Sequence, residues 1–89
     1  MGSQVGPIIR GHHERWDGAG YPDGLSGADI PLGARIVKIC DVFDALTTDR
    51  SYRKKIPTQD ALAYMRAESG AHFDPTLAPI FIQLIEDYN

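Results

Sequence analysis

The chain lacks most of the features that make a function easy to assign. It has one cysteine, Cys40, in 89 residues, so no internal disulfide can brace it, and a lone thiol fits a reducing compartment. Cys40 lies in an apolar run and is expected to be a buried, inert thiol. No run of about 18 apolar residues is present, which argues against a membrane-spanning helix. No secretory leader is read at the start, so the expected location is the cytoplasm. Strand-like alternation, internal repeats and low-complexity tracts are all missing. A positive excess is missing too: the net charge of −3 argues against a bulk nucleic-acid binder. Met1-Gly2-Ser3 reads as a vector-derived remnant, leaving residues 4–89 as one domain.

What is present points to helices around a long loop. At 43% hydrophobic and 24% charged residues the composition is that of a globular domain, though one this small has a marginal core. Val5, Ile8, Ile9 and His12 follow the i, i+3, i+4, i+7 spacing of a helix face, which predicts a helix over 4–15 with Pro7 near its first turn. Residues 16–33 hold Gly18, Gly20, Gly24, Gly27, Gly33, Pro22 and Pro31, a composition that excludes a stable helix. Trp16, Tyr21, Leu25 and Ile30 are anchors that make this an ordered loop. Ile36, Ile39, Cys40, Phe43 and Leu46 make one apolar face and predict a central helix over 34–48. A polar connector, 49–57, ends in Pro57; Thr58 is an N-cap for a helix to about Ser69, and Gly70 stops it. Asp74 before Pro75 is a second cap signal. Pro79 would break a bond four residues into a helix, so the last helix, within 75–88, is expected to become regular only near Pro79.

Three residues suggest metal chemistry. Neighbouring residues on a helix point about 100° apart, so His12 and His13 are poorly placed to share one ion. They can serve two ions side by side, with a carboxylate from another helix bridging. Asp41, in the middle of an apolar helix, needs a cation to offset its desolvation. Imidazoles and a carboxylate suit zinc, manganese or iron. Plainer readings stand beside these. Helix-end histidines favour the helix dipole, and Asp41 can pair with Arg35 or Lys38. Asp44, one turn on from Asp41, either accepts the second N–H of a ligand histidine or pairs with an arginine. Glu14 is read as solvated or as lying behind the ligands, and His72, in a turn, as structural. Four of the nine basic residues fall together as Arg50, Arg53, Lys54 and Lys55. Arg50 and Arg53 can hold phosphate oxygens or simply belong to a solvated connector. Tyr21 can stack on a base, bond a phosphate or anchor the loop.

Read in order, His12-His13-Glu14, Gly20-Tyr21-Pro22, Ile30-Pro31-Leu32, Asp41-Val42-Phe43-Asp44-Ala45-Leu46, Asp49-Arg50-Ser51-Tyr52-Arg53 and His72-Phe73-Asp74-Pro75 closely resemble the C-terminal part of HD-GYP domains. These are a branch of the HD metal-dependent phosphohydrolases. The resemblance covers the chain from about Val5 to Ile85. It implies an all-α helical bundle carrying a long ordered glycine-rich loop, the C-terminal part of a bacterial domain that hydrolyses cyclic di-GMP to pGpG or GMP. It further implies two or three divalent ions, iron or manganese. His12 and His13 would be ligands to different metals, with Asp41 a bridging or terminal ligand. Tyr21, Arg50 and Arg53 would hold the substrate's guanine and phosphates. The family's glycine-tyrosine-proline loop implies contacts with diguanylate cyclase domains.

One departure is plain: no His-Asp dipeptide occurs anywhere in the chain. The chain is therefore expected to be inactive alone and to bind metal weakly or not at all. A non-catalytic interaction or sensing module of the same ancestry is the alternative. Uncovered helix faces predict self-association, and nucleic-acid binding through Arg50 to Lys55 is disfavoured by the acidic total charge.

Overall fold

The computed structural model describes residues 2–88, and the side chains of residues 6–88. Met1 of the assigned remnant, and the side chain of Val5 on the predicted first helix face, lie outside the described residues. Among those described there are four α-helices and no strand: α1 (Gly2–Gly11), α2 (Leu32–Thr47), α3 (Thr58–Ala67) and α4 (Leu77–Tyr88), with a short 3-10 turn at Gly27–Asp29.

The core forms where α2, α3 and α4 meet the turn before α4. Ile39, Leu62, Met65, Phe73, Ala78 and Ile82 are buried together, with Val42, Phe43, Leu77, Phe81 and Ile85 packed against them. Phe43 and Phe81 meet edge to face at 5.2 Å, the arrangement their quadrupoles favour. α1 lies on the other side of α2, where small residues let the backbones approach. A Cβ on Gly33 would come within 2.7 Å of Ile8, and one on Gly11 within 3.1 Å of Ala34.

Several sequence expectations change. α1 stops at Gly11, not at residue 15, because Gly11 is jammed against Pro31 and Ala34 and the chain turns there, with the Glu14 N–H donating to the Gly11 carbonyl at 3.0 Å. Pro7 is the sixth residue of α1 rather than a first-turn residue. α2 begins at Leu32, directly after Pro31 at φ −52°, ψ 139°, a conformation that sets the helix entry. Thr58 is the first residue of α3, and Pro57 precedes it as the cap. Asp74 does cap α4: its Oδ1 accepts the N–H of Thr76 at 2.7 Å and of Leu77 at 3.2 Å. Pro79 is the third residue of that helix, where an N–H has no intrahelical acceptor, so α4 starts regularly at Leu77.

Cys40 is exposed, contrary to expectation. The face of α2 that carries Ile36 and Cys40 is not covered by the other described helices. With Leu77, Ile80, Phe81 and Leu84 of α4 these residues line an open apolar cleft. Arg35 pairs with Asp74, not with Asp41: its Nη1 donates to Asp74 Oδ2 at 2.8 Å and its Nε to the Ile30 carbonyl at 2.9 Å. Burial pushes the Asp74 carboxyl up, but Arg35 and the two capping N–H groups outweigh it and hold it below the usual carboxylate range. Among the described residues no helix is long and apolar enough to cross a membrane.

Candidate functional site

His12 and His13 lie in the turn just after α1, so the divergence expected of helical neighbours does not apply. Their ring centroids are 3.9 Å apart with planes tilted by 40°. His12 Nδ1 lies 2.6 Å from the Ile9 carbonyl oxygen, which fixes the proton on Nδ1 and leaves Nε2 free. His13 is exposed and stacks on Tyr21, centroids 5.0 Å apart and planes within 15°. The three rings form a continuous row along an open depression that also takes in Ile9, Arg10 and Pro22.

Asp41 is exposed on α2 and acts electrostatically on His13. Desolvation, then His12 and Lys38, hold the His13 imidazole below the ordinary histidine range, while Asp41 pulls it back up. Lys38, one turn before Asp41, makes no ion pair among the described residues. Burial, then Arg15, hold its ammonium below the lysine range against the opposing pull of Asp41 and Glu14.

The glycine-rich loop is ordered because it is tied down at both ends. Trp16 and Asp17 donate their N–H groups to the carbonyls of His72 and Ala71 at 3.3 and 2.9 Å, and Gly27 donates to Trp16 at 3.0 Å. Ile30 is buried. Between these ties the loop crosses directly over the histidine turn. At Gly20 an added Cβ would fall 2.5 Å from the Arg15 nitrogen and 2.6 Å from both Glu14 Cα and the His13 oxygen. Tyr21 follows at once, its N–H 3.4 Å from the His13 carbonyl.

Glu14 is not solvated. It is 2% exposed, and its two carboxylate oxygens accept the N–H groups of Asp23 and Leu25 at 2.8 and 2.9 Å. Arg10 grips the Asp23 side chain with two bonds of 2.8 Å. Sequence reasoning missed this role. The available signal was an acidic side chain at the start of a loop whose N–H groups had no regular partners.

The basic connector is a tight turn. Arg50 and Arg53 exchange backbone hydrogen bonds of 2.8 and 3.2 Å, and the Ile56 N–H reaches back to Leu46 at 2.9 Å. The Arg50 guanidinium donates to Asp44 at 3.2 Å, and the Thr48 hydroxyl to the other Asp44 oxygen at 3.3 Å. The Arg53 guanidinium donates to the Ala45 carbonyl near the end of α2. Asp44 thus links the Asp41 face of α2 to the arginine turn. His72 sits apart from this site, stacked on Phe73 at 4.5 Å and bonded to the Tyr64 hydroxyl at 3.3 Å. Burial above all lowers its pKa to about 4, with Lys38 and Arg15 adding to it and Asp17 opposing.

By donor type His12, His13 and Asp41 fit a divalent metal. His12 is oriented as ligand histidines are, one ring nitrogen held by a carbonyl and the other free. By closure they do not fit: among the described residues no group of three His, Cys, Asp or Glu side chains comes together closely enough to hold an ion.

Comparison with known proteins extends this picture. A family model described as HD domain matches residues 2–77. A probable cyclic di-GMP phosphodiesterase of Vibrio cholerae is 48% identical over 82 residues, 92% of this chain and 18% of that protein. A cyclic di-GMP phosphodiesterase response regulator of Xanthomonas campestris is 56% identical over 73 residues, 81% of this chain and 19% of that protein. The crystal structure of a cyclic GMP-AMP-specific phosphodiesterase of Vibrio cholerae superposes with a TM-score of 0.80 at 35% identity, covering 93% of this chain and 19% of the other. The chain spans about a fifth of the length of the relatives it matches.

Proposed function

Since this chain belongs to the HD domain family, we propose that it is a segment of an HD-GYP phosphodiesterase, part of a bacterial, cytoplasmic, metal-dependent enzyme that hydrolyses cyclic di-GMP to pGpG or GMP. The observation that carries this reading is the row His12, His13, Tyr21 with Asp41 in electrostatic reach. It sets candidate metal donors beside an aromatic surface suited to a base. In this reading His12 and His13 are ligands to separate ions, iron or manganese, and Asp41 is a shared or terminal carboxylate ligand. A divalent ion held there together with donors from outside this segment would lower the pKa of a water and offset phosphate charge. The chain's own residues bind and orient. Tyr21, 61% exposed, offers its face to a guanine, and Arg50 and Arg53 sit on a rigid turn at the end of α2 to meet phosphates. Asp44 keeps Arg50 in place.

His12, His13 and Asp41 do not close a metal shell, and no His-Asp pair is present in the sequence. The chain alone is therefore expected to be inactive. Joined to a segment that supplies the His-Asp pair and loaded with Mn2+ or Fe2+, it is expected to convert cyclic di-GMP to pGpG. No turnover from a folded, metal-loaded protein of that kind would refute the reading.

Two surfaces support partner binding. Ile36, Ile80 and Leu84 are exposed along the α2–α4 cleft, and the free chain is expected to self-associate there; sedimentation as a monomer at all concentrations would contradict this. The exposed Tyr21-Pro22 segment is open to a protein such as a diguanylate cyclase domain.

A further inference from the structure

We propose that Glu14 is a positioning residue: by holding the amides of Asp23 and Leu25 it sets the glycine-rich loop so that Tyr21 lies over the His13 imidazole. Glu14 follows His13 directly, yet its carboxylate points into the protein and bonds backbone 9 and 11 residues further along. The two amides flank Gly24, whose φ of +67° belongs to the region glycine adopts most readily, and both converge on the one carboxylate. Asp23 is held a second time, from α1, by the Arg10 guanidinium. Gly20 gives the loop its closest approach to the histidine turn, against the backbone of His13, Glu14 and Arg15. Pinned at Gly20 by contact and at Asp23 and Leu25 by the carboxylate, the intervening Tyr21 has little room to leave His13. A carboxylate is the side chain that can accept at both oxygens; an amide offers one acceptor and turns the other position into a donor. The stack of Tyr21 on His13 thus depends on a carboxylate bonded to the loop backbone on the far side of Tyr21.

The geometry is independent of substrate, but its use rests on the reading of Tyr21 as a base contact, and the two can be told apart. The experiment follows the His13 ring protons by NMR in the whole chain, at a pH above the imidazole range. Tyr21→Leu calibrates the shift that the stacked ring produces. Glu14→Gln, which keeps the volume, is expected to move the His13 signals more than half of the way to the Tyr21→Leu positions while the ring signals of Phe81, packed on Phe43 in the core, stay put. In the wild type, the Asp23 and Leu25 amides are expected to exchange with solvent more slowly than their neighbour Gly24. His13 signals unchanged in Glu14→Gln, or unmoved by Tyr21→Leu, would overturn the proposal. So would fast exchange at both amides in the wild type, a result that stands even where Glu14→Gln does not fold. A stack that behaves as expected in a chain whose Tyr21→Leu variant binds cyclic di-GMP as the wild type does would leave Glu14 in its role and remove Tyr21 from the substrate.

Discussion

Replacing Gly20 by alanine tests the loop crossing most sharply. Gly20 does not have a positive φ, so alanine meets no conformational penalty there, and the whole effect comes from contact. The new methyl would lie 2.5 to 2.6 Å from three backbone atoms of His13, Glu14 and Arg15, where carbon contacts settle near 3.5–4.0 Å. The two segments would have to separate by roughly 1 Å, and neither is a flexible side chain. Overpacking costs about 1–3 kcal/mol, and backbone on both sides puts Gly20→Ala at the upper end. A domain of this size has a total stability of about 4–13 kcal/mol at ~0.05–0.15 kcal/mol per residue. Each kcal/mol moves Tm by about 4–8 °C, so a fall of roughly 8–24 °C is expected by far-UV circular dichroism. Gly6→Ala is the matched control. Apart from its chain neighbours, nothing lies within 4 Å of its Cβ position, and because Gly6 precedes Pro7 in α1 the strain of a Cβ against the proline ring offsets the usual helix gain of alanine, so a shift well short of that at Gly20 is expected. A Gly20→Ala melting curve that overlays the wild type, or Gly6→Ala falling as far as Gly20→Ala, would refute the argument.

Two further outcomes follow from buried charge. Asp74→Ala removes the partner of the largely buried Arg35 and the cap of α4 together; breaking a buried pair costs about 3–5 kcal/mol, so urea unfolding should show a loss of about that size, and a change below about 1 kcal/mol would contradict the assignment. The pKa of His72 is about 4 in the folded chain against 6.5 as its ordinary value. The unfolded chain therefore takes up the proton first, and stability complete above pH 6.5 is lost between there and about 4. His13 contributes in the same direction, while Asp17, Asp23 and Asp74, all held below 3.8, act at lower pH. His72→Gln should flatten this part of the Tm-against-pH curve; an unchanged slope would show that His72 is not the group responsible.

The helices were legible where the pattern is local. Pro57 before Thr58 and Asp74 before Pro75 mark real helix starts, and the apolar spacing of α2 places Ile39 in the core. The end of α1 was not legible, since it depends on Pro31 and Ala34 meeting Gly11, a contact some twenty residues distant in sequence. Cys40 was misjudged because periodicity shows which side of a helix is apolar but not whether anything covers it. At the site, His12, His13 and Asp41 stand out by residue type. The burial of Glu14 does not, because a carboxylate next to a histidine pair is indistinguishable from a solvated one until the loop's amides are seen to need it.

The central proposal is that His12 and His13 are cation donors and that Asp41, on the neighbouring helix, serves the same centre, and paramagnetic broadening by Mn2+ tests it on the chain as it is, with no substrate or turnover. On titration, the ring signals of His12 and His13 and the side-chain carboxyl signal of Asp41 should broaden together, at concentrations that leave His72 and Asp74 sharp. Broadening of the histidines with Asp41 still sharp, or equal broadening at His72, would contradict it.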